Sequence, residues 1–137
     1  MKRALCLLWI LPALGRAEVT LELQNAATVY QAAFSNQAAL SPADQEAIKA
    51  GTFPAAGQAA IDLFREGAAI PDVDWALPFE EDGFATAMPH LRSARYLSRL
   101  AQAHASSVLS SHPDEFMKDQ VAAQALARHV GRDGGVF

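Results

Sequence analysis

The spacing of helix caps and breakers constrains this chain more than any other feature. Asn25, Ser41-Pro42-Ala43-Asp44, Pro54, Pro89 and His112-Pro113-Asp114-Glu115 each suit a helix start. Ser and Asn side chains accept from the free first-turn N–H groups, Pro loses nothing at the first helical position, and acids there complement the helix dipole. Gly51, Gly67 and Gly131 suit the matching stops. Five helices follow from this punctuation: Asn25 through about Gln37, Ser41 to Gly51, Pro54 to near Gly67, roughly 87–109, and His112 to Gly131. Between the third and fourth, about Ala69 to Ala85, the breakers Pro71, Pro78 and Gly83 predict a loop.

Apolar residues inside these bounds repeat with the helix period. Val29, Tyr30, Ala33 and Phe34 share one face of the first helix, and Ile61, Leu63 and Phe64 lie on the third. Ala94, Leu97, Ala101, Ala105 and Val108 line one side of the fourth, with Arg92, Arg95 and Arg99 opposite. Phe116, Ala123, Ala127 and Val130 mark the inner face of the fifth. Ala is abundant, Val and Ile are sparse, and no strand-length alternation occurs. The expected fold is therefore all-α: about five helices in one small helical-hairpin or bundle domain, with Ala at the helix contacts. There is no internal repeat and no low-complexity tract.

The first seventeen residues have the layout of a secretory signal peptide. Lys2 and Arg3 precede an eleven-residue apolar run, Ala4 to Leu14, and Gly15-Arg16-Ala17 places small residues three before and one before a cut after Ala17. The run is shorter than the ~20 residues that span a bilayer, so an uncleaved anchor is the weaker reading. Cys6 sits too early in the run to be a lipidated residue at the cut, and no other Cys follows. Residues 18–137 then form a single helical domain without a thiol, exported to the periplasm or beyond, its stability resting on helix packing alone.

Cleavage also changes the charge. The whole chain has 11 basic and 15 acidic residues; removing Lys2, Arg3 and Arg16 leaves 8 and 15, a net charge of −7. That excludes phosphate-backbone binding as a main role and disfavours an anionic membrane surface. A neutral or basic partner, an envelope protein or extracellular ligand, is the more natural expectation.

Chemistry-bearing residues concentrate around the loop. Asp72, Asp74, Glu80, Glu81 and Asp82 crowd Trp75 and Phe79. One reading is a polymer-hydrolase site, with Trp75 as a stacking platform and Asp74 with Glu80 or Asp82 as acid and base. The other is a solvated loop anchored by Trp75 and Phe79. A calcium loop counted from Asp72 fails at Ala76, Leu77 and Gly83, where Asp/Asn, Gly and Glu are required. The arginine row is either an anion clamp or a solvated face pairing with the preceding acids. In the second case Asp74 or Asp82 would meet Arg92 or Arg95 and hold the loop against the long helix. His90 and His104 are fourteen residues apart on one helix, about 21 Å, too far to share a metal. His90 lies on the apolar side, His112 and His129 near helix ends. No nucleophile elbow, phosphate loop or dinucleotide fingerprint occurs. No metal or cofactor is expected. The candidate binding or structural site is Asp72, Asp74, Trp75, Asp82, His90, Arg92 and Arg95.

Three segments carry a resemblance: Gly67-Ala68-Ala69-Ile70-Pro71-Asp72-Val73-Asp74-Trp75 with Asp82-Gly83, Pro89-His90-Leu91-Arg92-Ser93-Ala94-Arg95-Tyr96-Leu97-Ser98-Arg99-Leu100, and Ala127-Arg128-His129-Val130-Gly131. Together they resemble a family of uncharacterised exported helical proteins of bacteria, over about Asn25 to Gly131. The resemblance implies export and an all-α fold, and brings no activity, ligand or catalytic residue. Members often have a Cys before the Asp-Trp pair, where this chain has Val73, which speaks against a thiol role. Members also tend to continue past the Gly-Arg-Asp-Gly turn, so Arg132 to Phe137 read as a truncated end or as a tail that packs back on the core. The expected role is a non-catalytic binding or scaffolding module of the cell envelope, with the hydrolase as its rival.

Overall fold

A computed structural model of the protein describes residues 25–82 and 87–132. The signal peptide, Gly83 and the residues after Arg132 lie outside the described residues. Within them the chain is all-helical. The helices are α1 (Ala26–Ala38), α2 (Pro42–Lys49), α3 (Gln58–Ala69), the single turn α4 (Phe79–Asp82), α5 (Pro89–Val108) and α6 (Pro113–Arg132), with a 3-10 turn at Ala55–Gly57 ahead of α3.

The caps act as their chemistry dictates. The Asn25 side chain accepts from the Ala27 N–H, and the Ser41 hydroxyl accepts from the Asp44 N–H one turn into α2. Gly51 follows α2 at φ +82°, the left-handed conformation in which a Cβ is penalised. Gly67 is different. It does not end α3, which runs on to Ala69; a Cβ there would lie 2.9 Å from the ring of Tyr30. The residue is Gly because α1 and α3 approach each other at that point.

α1 packs on α3 and α5 on α6; contacts of α3 with α6 and α1 with α5 join the two pairs, and α2 leans on α5. Tyr30, Ile61, Phe64, Leu97 and Leu100 are fully buried, and Ala26, Ala33, Ala60, Ala94, Ala101 and Ala122 fill the spaces between them. Burying Ile61, Phe64, Leu97 and Leu100 contributes about 1.5–3 kcal/mol each in transfer free energy.

Two expectations need correction. The loop is interrupted by the turn of α4. The inner face of α6 is Asp119, Ala122, Ala125, Leu126 and His129, whereas Ala127 is exposed and Phe116, Ala123 and Val130 are only half-buried. The apolar stripe is shifted because two polar residues occupy the inward register.

Candidate functional site

The stretch Ile70–Pro78 crosses one end of the bundle and is clasped there from both termini of the described chain. The Ala26 N–H donates to the Asp72 carbonyl at 3.0 Å, the Asp74 N–H to Asn25 Oδ1 at 2.9 Å, and Asn25 Nδ2 to the Asp74 carbonyl at 2.9 Å. Asn25 thus caps α1 and pairs with the loop at once. From the other side, Arg132 Nη1 donates to the Pro71 carbonyl at 2.6 Å. Asp74 Oδ1 accepts from the Ala76 N–H at 2.8 Å, holding Ala76 at φ +52°. That turn drives Trp75 inward.

Trp75 is 6% exposed and sits in an aromatic cluster. Its ring stacks on His90 with centroids 4.5 Å apart, on Tyr30 at 5.9 Å and on Phe34 at 6.2 Å. Trp75 Nε1 donates to the His129 carbonyl at 2.9 Å. The Tyr30 hydroxyl meets His129 Nδ1 at 3.0 Å. With its proton on Nε2, a neutral His129 ring accepts the Tyr30 O–H at Nδ1. Burial pushes the Tyr30 phenol up to about 12. Burial, with Arg132 and Arg128 adding to it, holds His129 below its ordinary value, so the folded state favours the neutral ring. His129, expected near a helix end, lies in the last turn of α6 as a buried core residue.

The sign of the pH dependence follows. The unfolded chain binds a proton at His129 near pH 6.5, the folded chain only at lower pH. Stability from this group is complete above about pH 6.5 and falls as pH drops through that value. Thermal melts of His129→Gln against the unsubstituted chain should show a shallower acid-side loss in the variant; identical pH slopes would refute this.

The structure divides the seven candidate residues. Trp75 and His90 are buried in mutual contact, whereas Asp72, Asp74 and Asp82 are exposed, as are Arg92 and Arg95 on the outer side of α5. Among the described residues no ion pair links these acids to Arg92 or Arg95; Asn25, Arg132 and Trp75 hold the loop instead. The arginines turn to a neighbour on their own helix. The Arg92 guanidinium lies 5.8 Å and that of Arg99 6.0 Å from the Tyr96 ring centroid, and Arg92 holds the exposed phenol below its ordinary value.

A second polar cluster was not anticipated from the sequence. Asp119, 1% exposed, accepts from Arg65 Nε at 2.8 Å and pairs with His104 Nδ1 at 2.6 Å. Arg65 also reaches the Glu115 carboxylate at 2.5 Å, and Glu115 binds Lys118 at 2.6 Å. Lys118 first and Arg65 second hold Glu115 down to about 2. Burial alone would lower Arg65; its bonds to Asp119 and Glu115 outweigh this and raise it. The Phe53 ring sets its edge on His104 at 4.6 Å.

No family model, no curated protein and no solved structure matches this chain. Any function must therefore be argued from the two clusters and the surface.

The Asp119–His104 pair is closed to substrate. An Asp–His pair can activate a nucleophile only if substrate reaches the imidazole. Here Asp119 and His104 are both buried, Phe53 packs against the imidazole, and Arg65 occupies the other carboxylate oxygen. Among the described residues no group of three or more His, Cys, Asp or Glu side chains is placed to hold a metal ion. No described helix is long and apolar enough to cross a membrane.

Proposed function

We propose that this chain is exported and serves as a non-catalytic binding or scaffolding module of the cell envelope, periplasmic or secreted after cleavage following Ala17, in keeping with the signal-peptide layout of its first seventeen residues. One observation carries the non-catalytic part. Trp75, the residue best suited to a sugar platform, faces the core with its N–H bonded to His129, while Asp72, Asp74 and Asp82 stand in solvent. A buried cluster that holds a loop, beside a charged outer helix face, suits recognition better than turnover.

Expression of the full chain in a bacterial host should give an exported product beginning at Glu18; retention at full length inside the cell would overturn the export half. The product should not cleave peptidoglycan or chromogenic glycosides above background. Turnover that disappears in Asp72→Asn/Asp74→Asn/Asp82→Asn would overturn the non-catalytic half.

A further inference from the structure

We infer that the outer face of α5 docks an acidic segment of a partner protein, with Arg92, Arg95 and Arg99 binding its carboxylates around Tyr96. This deepens the binding-module reading and rests on it. At about 100° per residue, Met88, Arg92, Arg95, Tyr96 and Arg99 fall within an arc of roughly 100°. All five are exposed, Met88 by 38% and Tyr96 by 36%.

What sets this row apart is that three cations without a carboxylate share one helix face; among the described residues the other two, Arg128 and Arg132, lie on α6, where Arg132 holds the Pro71 carbonyl. Lys49, Arg65 and Lys118 each hold a carboxylate of Glu46, Glu115, Asp119 or Asp114. Among the described residues the three α5 arginines hold none, in a chain with 15 acids to 11 bases. Two of them, Arg92 and Arg99, lie over the Tyr96 ring instead, which limits their freedom before any ligand arrives and so reduces the ordering cost of binding. A guanidinium fork matches a carboxylate in bidentate geometry. Steps of three and four residues place the arginines about 4.5–6 Å apart along the axis, close to the spacing of acids one turn apart on a helix or two apart on a strand. Beyond Arg99 the row runs into a hollow of about 450 Å³ lined by Lys49, Gln102 and Ser106.

Arg, Tyr and Met are the residue types enriched where proteins meet proteins. The overall negative charge opposes approach to an extended polyanionic surface, while salt confines each local field to about 8 Å. A short acidic segment can use the row; a membrane or a nucleic acid would meet the repulsion of the rest. Net charge alone pointed to a neutral or basic partner, and this one face has the opposite preference.

The test uses the full chain with a labelled peptide of six glutamates as probe and phosphatidylglycerol vesicles as competitor. The peptide should bind in a salt-sensitive manner, and R92E/R95E/R99E should weaken it at least about tenfold with an unchanged melt. Tyr96→Ala, which leaves the charge intact, should weaken it several-fold. No binding, or equal binding by the triple variant, overturns the proposal, as does tighter binding to the vesicles through the same arginines. If the triple variant does not fold, unchanged binding in both Arg95→Gln and Tyr96→Ala overturns it. Turnover in the hydrolysis assay would sink the binding-module reading itself; absent probe binding without turnover sinks only this face.

Discussion

Replacing Asp119 with Ala is expected to lower the melting temperature by about 12 °C or more, a loss near 3 kcal/mol at about 4 °C per kcal/mol for a domain of this size. The carboxylate is 1% exposed and serves two partners. Its removal leaves His104 without an acceptor in the core and Arg65 with half its anionic support, and an abandoned buried polar group costs far more than a pair gains. Glu115 still holds Arg65, whose side chain is 22% exposed, which places the loss at the low end of the range for buried pairs. The contrast that identifies the mechanism is the double change Arg65→Met/Asp119→Leu. Replacing both charges by apolar groups should recover much of the loss. A shift below about 4 °C in Asp119→Ala would show that the network contributes little.

Trp75→Ala should cost about 3–5 kcal/mol, or about 12–20 °C. The ring is the common neighbour of Tyr30, Phe34 and His90, so its loss opens a cavity among three aromatic side chains. It also strands the His129 carbonyl that Nε1 satisfied. Trp75→Phe keeps most of the packing but not the donor, and should fall between. The readout is thermal unfolding by circular dichroism. If Trp75→Ala melts within about 4 °C of the unsubstituted chain, the indole is not the loop's anchor and its placement in the core is refuted.

The helical architecture was legible because helix signals are local. Asn25, Ser41-Pro42 and Pro113 announce their helices by chemistry that needs no knowledge of the rest of the chain. Trp75 as the anchor of the loop was one of two readings the sequence left open, beside a stacking platform, and its burial against Tyr30, Phe34 and His90 decides for the anchor. What failed were the statements about partners at long range. Asp74 and Arg95 have complementary charges twenty-one residues apart, yet Asn25, forty-nine residues from Asp74, took the loop through its backbone. Backbone carbonyls and N–H groups leave no mark in a sequence. The inward Asp119 misled the reading of α6, because an acid in the apolar register is ordinarily assigned to solvent. The available signal was its position, three before Ala122 and seven before Leu126, opposite a helix that offers Arg65 one residue after the buried Phe64. Gly67 was misread as a stop because a glycine needed for close approach looks the same in sequence as one needed for a turn.

The clasp over the loop has a kinetic meaning as well. Tyr30 and His129 are ninety-nine positions apart, and Arg132 and Pro71 sixty-one. Contacts of such sequence separation carry a larger loop-closure cost than the contacts within each helix. The beginning of α1 and the end of α6 meet on the same loop. Helix termini ordinarily fray independently and at little cost. Here, releasing either one disturbs the bonds that secure the other, so the two extremities open and close as a single cooperative unit.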